Sequence, residues 1–193
     1  MWHTLMSIHA IQSTLQVWIY PYSLLTKIYV SVNAFRSLFP VKVLESECLT
    51  LVSSPFIDRS LATIAELCFA QQLSTHLKHD NCIVNYALLA QLCCWTAMIT
   101  HNNLFHVYED YLWFLIGYHY YWYSKMAIQQ YIAVIYCLYM LFVNIPMYFY
   151  RFVNDEMINV SMFECTHSED WSDEYLWRMG YFIGASRISM YLN

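Results

Sequence analysis

The sequence predicts an all-α fold: a polytopic membrane helical bundle of four or five spans with an N-terminal interfacial helix. Three observations lead there. Hydrophobic residues make up 59% of the 193 residues and charged residues only 12%, whereas an ordinary soluble domain is about 25% charged. That supply of charge does not cover the surface of a soluble chain of this length. Tyr, Phe and Trp occur 18, 11 and 7 times; the apolar ring and polar tip of Tyr and Trp suit a lipid–water boundary. Finally, much of the chain divides into apolar stretches approaching the ~20 residues that cross a hydrocarbon layer about 30 Å thick, joined by short polar turns.

Residues 1–35 form the N-terminal amphipathic segment. Leu5, Ile8, Ile11, Leu15 and Trp18 recur near helical spacing, Ser7, Ser13 and Gln16 occupy much of the other side, and Pro21 interrupts. This predicts an interfacial helix and a short second segment, with a tilted span kinked at Pro21 as the alternative. No Lys or Arg precedes Lys27, so neither a signal peptide nor a transit peptide is expected, and insertion is expected to rely on internal segments or on signals not evident in the residues. Residues 36–59 are a polar connection punctuated by Pro40 and Pro55, with Ser60 as the expected N-cap of the next helix.

Residues 60–153 are the expected helical body. The first span runs from about Leu61 to Leu77 and contains Glu66 and the pair Gln71–Gln72; the second runs from about Cys82 to Ile99. The short turn between them predicts an antiparallel hairpin. The third runs from Leu104 to about Tyr123, with His106, Glu109 and Asp110 near its start. The fourth runs from Ala127 to Tyr150 with a kink expected at Pro146. Residues 154–174 are an acidic loop with Phe163 and Trp171, suited to docking on a basic partner surface. Residues 175–193 are a final membrane or interfacial helix. Lys and Arg are too evenly placed to orient the bundle.

Charge is uneven along the chain: residues 1–96 carry five basic and five acidic groups, residues 97–193 four and nine. No basic stripe exists to displace phosphate counterions, which argues against a nucleic-acid partner. The seven cysteines show no disulfide framework: their number is odd and most lie in apolar stretches.

The candidate constellations are sparse. Glu66, Gln71, Asn85, Gln91, His106, Glu109 and Asp110 form the expected intramembrane polar network, because carboxylates and amides within spans face partners rather than lipid. On a helix Glu109 and Asp110 fall at i+3 and i+4 from His106. That face would bind a divalent metal only with a further carboxylate such as Glu66, and the chain holds only fragments of a di-metal carboxylate pattern. Histidines 76, 79, 101, 106 and 119 do not pair at matched depth for haem. Cys93 and Cys94 point to different helix faces, and Cys165-Thr-His167 supplies only two ligands. Asn159-Val-Ser161 matches a glycosylation acceptor. Gly180 and Gly184 make a Gly-x-x-x-Gly pair that permits close helix packing. No catalytic residue, cofactor or metal is expected.

The expected role is therefore that of a structural, non-catalytic accessory subunit of a multi-subunit membrane complex. Its partners would be other membrane subunits and lipid. The context expected for it is a respiratory-chain or ATP-synthase assembly of the mitochondrial inner membrane, where such subunits abound. The alternatives are a small proton or cation channel or transporter using Glu66 with His106, Glu109 and Asp110, and a membrane-bound metalloenzyme.

Overall fold

The computed structural model describes residues 2–50, 52–78, 80–156, 161–168, 171 and 182–192. It is mostly helical and divides into two compact units, residues 1–72 with 160–193, and residues 73–159.

In the first unit, α1 (Trp2–Ile19) and α2 (Leu24–Leu38) pack together across the break at Pro21. Ser23 caps α2, its hydroxyl accepting from the Thr26 N–H at 3.2 Å. The apolar stripe Leu5, Ile8, Ile11, Leu15 and Trp18 faces outward, while Met6, Ala10, Ser13 and Val17 are buried. Helix α3 (Pro55–His76) begins a turn and a half before Ser60. Ser54 accepts from the Ile57 N–H at 3.3 Å, so Ser54 does the capping and the expectation for Ser60 is corrected. Proline at the first helical position costs nothing there, because its missing N–H would have no intrahelical acceptor.

The 36–59 connection is more ordered than its composition implies. Strands β1 (Val41–Lys42) and β2 (Glu47–Cys48) pair antiparallel, Val41 opposite Cys48. Strand β3 (Thr166–His167) joins β2 in parallel register, Glu47 opposite Thr166. Cys48 and Cys165 form a disulfide, which corrects the expectation of no disulfide: the pairing residues lie far apart in sequence and only strand return brings them together. Trp171 is also not a docking residue, for it is buried, donates its indole N–H to the Ser168 carbonyl at 2.9 Å, and carries Lys42 over its ring. Helix α8 (Gly184–Tyr191) lies on α2, and Val17, Tyr29, Val30, Ala65 and Met190 make the core of this unit.

In the second unit, α4 (Asn81–Thr100) and α5 (Leu104–Tyr123) form a tight antiparallel pair. Asp80 caps α4 through the Cys82 N–H at 2.9 Å, and His101 ends it in the left-handed conformation, φ 55°. The inward face of α4 is Ile83, Ala87, Ala90, Gln91, Cys94, Ala97 and Met98; its three alanines let α5 approach closely. Helix α6 (Ala127–Tyr139) continues through a π-turn (Met140–Asn144) into α7 (Ile145–Val153). Pro146 cannot donate to the carbonyl four residues back, and the wider π-turn before it absorbs the misfit. A Cβ built on Gly117 of α5 would lie 2.8 Å from the Tyr136 ring and 2.9 Å from the Cys137 sulfur, so glycine is what lets α6 seat on α5.

Among the described residues, two helices are long and apolar enough to cross a membrane: Asn81–Thr100, and the continuous run Ala127–Val153. Four or five such helices were expected. Polar and tyrosine-rich composition keeps α3 and α5 below that standard, with Glu66, Gln71 and Gln72 in the former and His106, Glu109, Asp110 and six tyrosines in the latter.

Candidate functional site

The polar interior of the second unit centres on α5. Its buried face is His106, Glu109, Asp110, Trp113, Ile116, Gly117 and Tyr120, so all three ionisable residues near the helix start turn inward. The His106 Nδ1 and a Glu109 carboxylate oxygen are 2.7 Å apart, and the imidazole stacks on Tyr148 of α7 with ring centroids 4.7 Å apart. The other ring nitrogen, Nε2, is buried without a hydrogen-bond partner. Cys94 reaches the same place from α4: its sulfur, a His106 nitrogen and a Glu109 oxygen all lie within 4.8 Å of one another. Helix geometry explains the meeting. Cys94 sits six residues before the end of α4, and His106 and Glu109 two and five residues after the start of α5. At about 1.5 Å per residue the three stand at similar depth in the hairpin.

Opposite these residues, the inward seam of α6 and the π-turn is Gln129, Ala133, Met140 and Asn144. Gln129 hydrogen-bonds His76 at 2.7 Å. At the other end of the α4–α5 pair, His119 meets Asp80 at 2.6 Å. That hydrogen bond, with a smaller contribution from the Cys82 N–H, holds the Asp80 carboxyl below its usual range.

The first unit has its own polar interior. Glu66 lies 3.9 Å from the Arg59 guanidinium. Arg36 and Asp58 form a two-pronged pair at 3.0 and 3.1 Å with side chains 5% and 1% exposed. Gln72 donates to the Thr26 hydroxyl at 2.7 Å and accepts from the Ser189 hydroxyl at 2.7 Å, so one buried amide ties α2, α3 and α8 together.

The residues expected to share one polar network are thus distributed. Gln91, His106, Glu109 and Asp110 are buried in the second unit and Glu66 in the first; Gln71 is half-buried and Asn85 exposed. The buried glutamine of α3 is Gln72, one position on, which follows buried Ala65 by seven residues, two helical turns, and so shares its inward face. Gly184 has open space where a Cβ would stand, and Gly180 lies outside the described residues, as do His79 and Asn159. Cys165 is spent in the disulfide and offers no thiolate beside His167. Sequence reasoning missed Cys94 as a neighbour of His106; the available signal was its position three residues after Gln91 and three before Ala97 on one helix face.

Comparison with protein-family models, curated proteins and solved structures returned no match. The residues themselves therefore carry the functional argument.

Proposed function

We propose that this chain is a multi-pass membrane protein acting as a structural, non-catalytic accessory subunit of a larger membrane complex. In this reading α3, α4, α5 and the α6–α7 run form four spans, and α1 lies at the interface. One observation carries it: the α6–α7 run turns most of its large apolar side chains outward, where a soluble helix would bury them. Its inward seam includes Gln129 and Asn144, whereas Ile128, Val134, Ile135, Leu138, Leu141, Phe142 and Val143 are exposed. Only 17% of its most apolar window is buried, unlike the core helix of a soluble protein. A patch this large needs lipid or protein against it.

The accessory role is supported by how the polar groups are used. Asp58 of α3 is matched by Arg36 of α2, and Gln72 by Thr26 and Ser189, arrangements that fix helices to one another, while Glu66 stands 3.9 Å from Arg59 of its own helix. The exposed stripe of α1 gives a second apolar surface for a partner or for the lipid boundary. The Cys48–Cys165 disulfide supports placing the small sheet on an oxidising side of the membrane. The host we propose is a respiratory or ATP-synthase assembly of the mitochondrial inner membrane.

Native mass spectrometry of the protein extracted from its own membrane in mild detergent tests this. The expected result is a reproducible multi-subunit mass that harsher detergent breaks up. A stable monomer that conducts protons or cations in liposomes, with conduction lost on Glu66→Gln, would replace this reading with the channel. Release of the chain by alkaline carbonate would refute membrane insertion itself.

A further inference from the structure

We propose that Cys94, His106 and Glu109 hold a zinc ion that pins α4 to α5 inside the second unit. The three residues are 0%, 3% and 7% exposed, and their ligand atoms already lie within 4.8 Å of one another. Ligand atoms on a tetrahedral zinc, with bonds of roughly 2.0–2.3 Å, stand about 3.3–3.6 Å apart. Closing the cluster therefore takes side-chain adjustments on the order of an ångström, with no movement of either helix demanded.

Two physical arguments select this ion class. The first is charge. A thiolate, a carboxylate and a neutral imidazole around a divalent cation sum to zero, so the loaded site carries no net charge into a low-dielectric interior. The second is ligand chemistry: one sulfur, one nitrogen and one oxygen donor match zinc, whereas magnesium and calcium take oxygen almost exclusively.

The unpartnered Nε2 of His106 is an independent sign. A buried polar atom without a partner costs about 1–3 kcal/mol, and this one belongs to a ring locked from both sides by Glu109 and Tyr148. Three protein donors leave one coordination position for water or a fourth ligand. Zinc binding displaces the Cys94 thiol proton to solvent, so affinity rises with pH. This proposal is independent of the accessory-subunit reading and stands or fails apart from it.

The test uses the full chain in mild detergent, stripped with a chelator, reloaded with Zn²⁺ or Co²⁺, and desalted. The expected outcome is about one zinc per chain by elemental analysis, and with cobalt a thiolate-to-metal charge-transfer band. Cys94→Ser should abolish the band, and His106→Ala and Glu109→Gln should lower zinc retention at least tenfold. Cys93→Ser, one residue away on another face, should keep both. Helical circular dichroism confirms that each variant is folded, and zinc retention by the unaltered chain decides the matter even where a variant does not fold. Failure of the folded natural chain to retain metal, or a cobalt band that survives Cys94→Ser, would overturn the proposal.

Discussion

Removing the Asp58 carboxylate should be among the most damaging single changes to this protein. Asp58 stands in the first turn of α3 and Arg36 in the last turn of α2, each at the helix end whose dipole favours its charge. Both Arg36 nitrogens engaged by the carboxylate lie at hydrogen-bond distance, 3.0 and 3.1 Å, and both side chains are almost wholly enclosed. An exposed ion pair contributes about 0–1 kcal/mol. Here Asp58→Ala leaves a guanidinium buried without its counter-ion, a loss of about 3–5 kcal/mol. At roughly 2–4 °C per kcal/mol for a chain of this size, Tm should fall by about 6–20 °C.

The double variant Arg36→Met/Asp58→Leu removes both charges together and should recover most of that loss, because replacing a buried pair with apolar groups is often neutral or stabilising. Recovery is limited by the lost contact of Arg36 with the Phe182 ring, 5.0 Å from its centroid. The assay is thermal unfolding in mild detergent followed by circular dichroism, with all four corners of the cycle measured. A loss below about 1 kcal/mol for Asp58→Ala would refute the reasoning, since that is the cost of a solvated pair. So would a double variant no better than the sum of the singles.

Three further outcomes follow from the structure. Cys48→Ser, or reduction, should destabilise the first unit by about 2–5 kcal/mol, because the disulfide closes a loop across a sequence separation of 117; non-reducing electrophoresis reports the bridge and denaturant unfolding its contribution. Gly117→Ala should cost about 1–3 kcal/mol by overpacking, measured as a lowered Tm, and Cys137→Ala should relieve part of it, since the Cys137 sulfur is one of the two atoms crowded. Asp80 has a folded pKa below its ordinary 3.8, so its contribution is present above that value and lost as pH falls through the lower folded value. Asp80→Asn keeps the helix cap but removes the charge, and should flatten the acid-side decline in Tm below about pH 4; an equally steep decline would count against the Asp80–His119 pair.

What the amino-acid sequence determined by itself was local. The break at Pro21, the turn before Asn81 and the bounds of α5 at Leu104 and Tyr123 were all legible, because caps, prolines and 3.6-residue periodicity act within a few residues of the chain. The inward turn of His106, Glu109 and Asp110 was legible as a shared helix face for the same reason. Tertiary structure alone decided which faces meet. Rotational phase put Gln72 rather than Gln71 against Thr26, and hairpin depth put Cys94 beside His106. The return of a distant segment built β3 and the Cys48–Cys165 bridge out of an acidic loop. Each of these depends on the rotation and offset of two elements about one another. A sequence encodes that geometry only through the packing of all of its elements together.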